Sequence, residues 1–395
     1  MVTRRALISG ASIAGLSAAY WLRRTGWEVT VLERAPEFRD GGQNVDVRGV
    51  AREVLEEMGL TAAVREQNTT ETGTVIVDRT GAVIAELPSD GPDGATAELE
   101  VLRGDLARTI LDHLPEGVEI GYGDPIADVT QDEGGVTATT RSGRVLHVDL
   151  LVVAEGVRSR TRDLLFGDLV EHHQLGIAMA FGTIPRTAGD DDRWRWYYTV
   201  GGRQAHLRPD NHGTTRAILA HAGTDDLATL DRADVLARLR AHYADAGWET
   251  PRILDGFADT DDLYIDQLTR IHVPTWHRGR VCLIGDAAWC VTPLGGGGAS
   301  FALTGGYVLA ATLSQGRIET GLVAYEDWMR PLVDGVARLP RAFTRIAFPR
   351  TRAGLGTRRL LDRAITVPPL RGLVSRMTAV AGTERPLPTL AGART

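Results

Sequence analysis

The chain has 395 residues, 43% of them hydrophobic and 24% charged, and a formal net charge of −7. This length predicts two or three structural units rather than one simple core. The acidic balance supplies no basic surface for nucleic acid or an anionic membrane, and no apolar run reaches the 18 or so residues of a membrane span. All 44 basic residues are arginine. That excludes chemistry needing an amine, such as a Schiff base, and leaves Arg for every contact to phosphate or carboxylate. Cys282 and Cys290 could pair only with each other. Two cysteines suggest neither a disulfide framework nor a metal site, and a reduced cytoplasm fits them.

In chain order, the stretch Ala6 to Leu22 after Arg4 and Arg5 looks superficially like a signal peptide. Gly10 and Gly15 inside it fit a nucleotide-binding turn instead. Ala6-Leu7-Ile8 reads as a short strand. Ile13, Leu16 and Tyr20 recur as one helix face, which Gly26 ends, and Val29 to Leu32 is the next strand. Ala51, Val54, Leu55 and Met58 predict a second helix stopped by Gly59. A hairpin is expected over Thr74 to Leu87 around Thr80-Gly81. Two apolar runs, Leu150 to Ala154 and Val281 to Ile284, read as strands buried on both faces, as in a parallel sheet covered by helices. Between them, Ile177–Ile184, Trp194–Val200, Gln204–Leu207 and Thr215–Ala220 read as strands of an antiparallel sheet. Trp194, Trp196 and Tyr198 share one strand face, and Gln204, His206 and Arg208 share another; core packing explains the first set and solvent the second. Residues 331–395, rich in Arg and Pro, are expected to be helical. His172-His173 reads as a surface pair, and no metal site is expected.

Two glycine clusters carry the chemistry. Gly10-Ala11-Ser12-Ile13-Ala14-Gly15 joins a strand to a helix. Gly10 permits the tight turn and Gly15 close packing, and the helix start offers N–H groups and a partial positive charge to a pyrophosphate. Glu33, at the end of the second strand with Arg34 beside it, is placed to accept both hydroxyls of a ribose. The second cluster runs from Arg280 to Ser300. A buried strand ends at Gly285-Asp286, where the carboxylate can accept from a sugar-like hydroxyl. Pro293 then fixes a loop, and Gly295 to Gly298 let backbone lie flat against a ligand before a helix starts near Ala299-Ser300. Gly305-Gly306 weakens that helix, which points to close packing against a flavin or a sheet.

Gly-Asp followed by Pro and a glycine cluster resembles the second FAD fingerprint of the group A FAD-dependent monooxygenases, the para-hydroxybenzoate hydroxylase family. The resemblance covers residues 1 to about 331. Ala154-Glu155-Gly156 is similar to the family's Asp-Gly motif, Arg103 in Val101 to Leu106 matches its flavin-contacting Arg, and Tyr325-Glu326 with Arg330-Pro331 resembles its domain ending. Gly41-Gly42 and Val45-Asp46-Val47-Arg48-Gly49 look closest to tetracycline-type and other natural-product hydroxylases.

The resemblance implies an α/β plus antiparallel-sheet fold: a Rossmann-like FAD-binding domain of the glutathione-reductase type with a second, substrate-binding sheet domain. The discontinuous FAD domain is expected at 1–73, 96–170 and 266–330, the sheet domain at 74–95 and 171–265, and a C-terminal helical segment at 331–395. It implies FAD held by Gly10, Ser12, Ile13, Ala14, Gly15, Glu33, Arg34, Arg48, Arg103, Asp286, Pro293, Gly296, Gly297, Gly298 and Ala299. It also implies NADPH or NADH as transient reductant, and hydroxylation of an aromatic or polyketide-like molecule by O2 through a peroxide adduct of the flavin. Trp196, Tyr198 and His206 are the pocket candidates. Arg48 reads equally as a solvated loop charge.

Three positions depart from the family: Ser12 for Gly, Glu155 for Asp, and Trp289 for a smaller residue. Two rivals follow. A flavin-dependent halogenase is suggested by Trp194-Arg195-Trp196, but that mechanism uses a Lys, which this chain lacks. The other is a protein that holds FAD for a non-redox cyclisation or ligand-binding role.

Overall fold

The computed structural model describes residues 3–88, 99–223, 227–291, 297–336, 343–365 and 385–391. The expected strand–turn–helix–strand opening is present as strand Arg5–Ser9, helix Ile13–Arg24 and strand Glu28–Glu33. Arg5–Ser9 lies at the centre of a six-stranded sheet. It pairs in parallel with Glu28–Glu33 on one side and with Leu150–Val153 on the other. Val281–Leu283 continues the sheet in parallel beyond Leu150–Val153. These four strands come from distant parts of the chain. The unbroken apolar runs of three of them are explained by cover on both faces, from helices and from the small antiparallel sheet of 126–148: Leu7, Ile8, Val152, Val153 and Leu283 are fully buried.

Helix Gly298–Ser314 is buried on nearly every side, from Ser300 to Leu313. It lies against helices Ile13–Arg24 and Ile318–Val336. The expectation that Gly305-Gly306 packs on flavin or sheet is corrected. A Cβ on Gly306 would stand 2.4 Å from Ser17 Oγ and 2.5 Å from the Ala18 nitrogen, while one on Gly305 would meet the Trp289 ring at 3.2 Å. The glycine pair exists for helix-to-helix contact.

The second unit is a seven-stranded sheet. Its spatial order is Tyr264–His272, Glu171–Pro185, Thr214–Ala222, Arg203–Pro209, Trp194–Thr199, Gly73–Val77, Val83–Pro88. The hairpin around Thr80-Gly81 joins it as expected, through a parallel pairing of Trp194–Tyr197 with Thr74–Val77. One boundary needs correction. A cut between residues 265 and 266 falls inside strand Tyr264–His272, which pairs antiparallel with Glu171–Pro185, so the sheet runs to His272. Likewise, helix Ile318–Val336 carries Pro331 in its interior and spans the expected 330/331 boundary.

Alternation gives this sheet two faces. Tyr197, Ala205, Leu219 and Ala180 pack on helices Arg232–His242 and Thr250–Asp259, with Leu239, Ile253 and Phe257 filling that core. The other face carries a row that crosses all seven strands in register: Ala85, Ile76, Trp196, His206, Ile218, Phe181 and Tyr264. Beside it, Met179, Ile218 and Ala220 are covered by Ala347 and Phe348 of the C-terminal segment. No described helix is long and apolar enough to cross a membrane.

Candidate functional site

The glycine turn is built by backbone proximity. Gly10 has φ +111°, and a Cβ there would stand 2.4 Å from the Ala154 carbonyl. A Cβ on Gly15 would sit 1.9 Å from the Gly10 carbonyl. Only glycine fits either position. Ser12 is the N-cap of helix Ile13–Arg24, yet its side chain caps nothing. The first-turn N–H groups, including those of Ile13, Ala14 and Gly15, therefore face outward without an intrahelical partner. Ser12 Oγ instead accepts from Arg103 Nη2 at 2.9 Å, which brings Arg103 to the mouth of the turn. Glu33 closes the turn from the other side. Its carboxylate accepts from the Ala11 and Ala35 N–H groups, both at 2.9 Å, with lone pairs to spare. Arg34 next to it is exposed.

Asp286 is the first residue of the short helix Asp286–Trp289, after Gly285 at φ +59°. Its carboxylate is open to solvent while protein encloses it, the signature of a cleft floor. Desolvation there raises its pKa against the pull of Arg103, and Asp266 adds to the rise. A raised carboxylate without its hydrogen-bonding partner fits a group that accepts from a polyol. Gly297 is left-handed at φ +79° and caps helix Gly298–Ser314; a Cβ on Gly298 would meet nothing. Ala299 begins that helix beside it. Pro293 and Gly296 lie outside the described residues.

Arg48 is not a solvated loop charge. Its side chain is nearly buried and pairs with Asp46 at 3.0 Å. Its N–H donates to Ser300 Oγ, which donates in turn to the Asp46 carbonyl. The loop after strand Asn44–Asp46 is thereby stitched to the first turn of helix Gly298–Ser314. A hydrogen bond and charge thus bring Ser12, Arg103 and Asp286 together, and a second hydrogen bond ties the Arg48 loop to the start of helix Gly298–Ser314.

The sheet comes near this group at strand Tyr264–His272: Tyr264 and Asp266 feel Arg158, and Tyr264 also feels Arg103 and Asp286. Two residues beyond His206 on its central strand, Arg208 bonds Glu71 Oε2 at 2.9 Å, pairs with Glu100 at 3.0 Å, and lies 3.7 Å over the Trp194 ring. The solvent assignment for the polar set is overturned: Gln204, His206 and Arg208 are all buried. Trp196 stacks on His206 with centroids 4.7 Å apart. Gln204 spends its amide N–H on the Ala347 carbonyl, so its oxygen accepts from His206 Nε2–H at 2.9 Å. That fixes His206 as the neutral tautomer with Nδ1 as a buried acceptor, and burial pushes its pKa down to about 3. Tyr198 turns toward helix Arg352–Ile365, where its hydroxyl accepts from Arg358 at 2.9 Å.

The three departures take clear places. Glu155 accepts from Ser9 Oγ, Ser159 Oγ, and both N–H and Oγ1 of Thr161. Its carboxylate is spent tying the strand before Gly10 to helix Arg160–Phe166. Trp289 is buried against Trp276, ring centroids 4.6 Å apart, and is a core residue. Ser12 keeps the turn small and orients Arg103. His172 and His173 lie at the surface beside Asp163 and Glu171. Cys282 and Cys290 are both buried and are not joined in a disulfide.

The buried carboxyls Asp46, Glu71 and Glu100 around Arg208 escaped sequence reasoning. The recoverable signal was an arginine in register with His206 on a strand that alternates.

Comparison with known proteins agrees with this geometry. Residues 3–338 match the FAD binding domain family. The flavin-dependent monooxygenase eupH of Phoma sp is 33% identical, over 90% of this chain and 90% of its own. The crystal structure of tetracycline destructase Tet(51) superposes with a TM-score of 0.79 at 26% identity, covering 97% of this chain and 99% of that one. The fold of HpxO from Klebsiella pneumoniae, solved with FAD and uric acid, matches with a TM-score of 0.78 at 22% identity, over 95% and 96%. With a matching FAD-binding domain over most of its length and a flavin-dependent monooxygenase relative matched over 90% of both chains, this chain belongs to the FAD-binding, flavin-dependent monooxygenases of the group A type.

Proposed function

We propose that the chain hydroxylates an aromatic or polyketide-like small molecule, with NADPH or NADH as reductant and O2 as oxygen donor. When bound, FAD supplies the redox and oxygen chemistry. The protein supplies position, charge and dryness. The helix start at Ser12 to Gly15 would hold the pyrophosphate, Glu33 the ribose, Asp286 the ribityl hydroxyls, and the N–H groups of Gly298-Ala299 the ring edge.

The observation that carries the reading is the convergence of the glycine turn, Arg103 and Asp286, with strand Tyr264–His272 of the sheet close enough for Tyr264 to feel Arg103 and Asp286. Trp196 offers a flat apolar wall to an aromatic substrate. His206, a buried neutral ring stacked on Trp196, backs that wall. Tyr198 supports the wall from the C-terminal side through Arg358.

The test is spectroscopic. The purified protein should be yellow, or become so with FAD, and should release FAD rather than FMN on heating. Mixed anaerobically with NADPH or NADH in the presence of a panel of polycyclic phenols, the flavin absorbance should bleach. Oxygen should then restore it with formation of a hydroxylated product. A flavin that binds and never bleaches would refute the redox reading and leave a ligand-holding role.

A further inference from the structure

On the strand that carries His206, the interior guanidinium of Arg208 is met by two buried carboxyl groups, with a third close by. Arg208 Nε donates to Glu71 Oε2 at 2.9 Å, and Arg208 Nη2 pairs with Glu100 Oε2 at 3.0 Å. Glu100 Oε1 also accepts from Asn44 Nδ2 and Thr69 Oγ1, at 2.6 and 2.8 Å. Asp46 faces Glu100 across the pairing of strands Asn44–Asp46 and Glu100–Leu102. Arg48 serves Asp46 at the rim. The side chains of Glu71 and Glu100 are essentially buried. Two carboxyl oxygens of the cluster, Asp46 Oδ1 and Glu71 Oε1, are buried and have no hydrogen-bond donor among the described residues.

Two buried carboxyls share one buried cation, Arg208, while Asp46 beside them is partly exposed and has Arg48 as its own partner; with acceptors left over, the interior pair is short of positive charge and of donors. Buried carboxylates in that position are costly unless a proton neutralises one of them. We infer that the Asp46–Glu71–Glu100 cluster carries one dissociable proton in the neutral-pH enzyme, held on Glu71, so that the interior beside Arg208 stores a carboxylic acid rather than a second carboxylate.

The electrostatics point the same way. Burial pushes the Glu71 carboxyl up to about 8; Glu100 and Asp46 add to the rise, and Arg208 opposes it. Asp46 is raised as well, by burial and then by Glu100. His206, the titratable neighbour on the Arg208 strand, is held neutral and does not compete for the proton.

Because the folded value lies above the ordinary 4.5, folding takes up a proton between pH 4.5 and about 8. This group's contribution to stability is therefore present below that window and lost as pH rises through it. The experiment compares urea unfolding of the FAD-loaded wild type and Glu71→Gln from pH 5 to 9. The expected result is a wild-type folding constant that falls relative to the variant by up to about tenfold per pH unit within the window. Parallel curves would overturn the proton store. If Glu71→Gln does not fold, infrared spectra of wild-type holoenzyme carrying carboxyl-labelled glutamate decide it. A protonated glutamate carbonyl band at pH 7 that fades above pH 8 supports the assignment, and its absence at pH 7 overturns it. Neither readout depends on turnover. A protein that shows the linkage but never bleaches with NADPH sinks the hydroxylase reading alone.

Discussion

Replacing Gly306 by alanine sets two opposed effects against each other. In the interior of a helix, alanine is worth about 1 kcal/mol more than glycine. At Gly306 the added Cβ would stand 2.5 Å from the Ala18 nitrogen and 2.7 Å from the Ser17 carbonyl carbon, where ordinary contact begins near 3.4 Å. The obstacle is the backbone of helix Ile13–Arg24, so no rotamer change relieves it. The two helices must part by nearly 1 Å along their line of contact. Overpacking of this kind costs roughly 1–3 kcal/mol. With backbone as the obstacle the cost lies in the upper part of that range, and the net effect is a loss of about 1–2 kcal/mol. The displaced helix is the one whose first turn forms the phosphate-binding start at Ser12 to Gly15, so FAD affinity should fall as well. Gly305→Ala is the built-in control. There the Cβ meets only the rim of the Trp289 ring at 3.2 Å, which can yield by a few tenths of an ångström, so the helix gain should offset the strain. Urea unfolding of both variants, with fluorimetric FAD titration, measures the contrast. A Gly306→Ala protein as stable as Gly305→Ala would refute the close-contact reasoning.

Asp286→Ala should weaken FAD binding by roughly tenfold to a hundredfold, the worth of a charge-assisted hydrogen bond at ~1.5–3 kcal/mol, with little effect on the melting of the apoprotein; an unchanged dissociation constant would show that the second fingerprint is misassigned. Glu155→Asp restores the family's residue but should lower stability by roughly 1–3 kcal/mol, because a carboxylate shortened by one methylene cannot reach Ser9, Ser159 and Thr161 together. Thermal melting that matches wild type would contradict that network. Arg208→Met leaves three carboxyls around an apolar side chain and should destabilise by roughly 3–5 kcal/mol, read by chemical denaturation; a loss below about 1 kcal/mol would mean that Arg208 is not the interior counter-charge.

What could be read before the structure, and what could not, divides by range. The turn at Gly10 to Gly15 and the acceptor at Glu33 are local geometry, and local geometry is written in spacing. The strand–turn–helix around Asp286 was legible for the same reason. The sheet strands from Ile177 to Ala220 were legible as alternation, but alternation does not say which face is wet. Gln204, His206 and Arg208 look solvent-facing because they are polar. They are buried because Glu71, Glu100 and Ala347 arrive from three distant segments to pair with them. Strand Tyr264–His272 was divided between units because its charges hide its period, and only its pairing with Glu171–Pro185 shows where it belongs. Glu155 and Trp289 were visible as departures. Their roles, one a four-donor tie and the other core packing, needed coordinates.

The parallel seam between Thr74–Val77 and Trp194–Tyr197 constrains how this protein can exchange parts with its relatives. One sheet is assembled from stretches that lie on either side of the nucleotide-domain segment ending at Leu150–Val153. A chimera made by one crossover between residues 102 and 171 would join edge strands from one parent to central strands from the other along that seam. The Arg208 pairings with Glu71 and Glu100 would then be inherited from different parents. Substrate preference should therefore pass between relatives only when two blocks travel together, roughly residues 71–102 and 171–272, while the strand and helix order between them stays with the recipient. Recombination libraries that cut at one point should yield folded proteins far less often than libraries that cut at four.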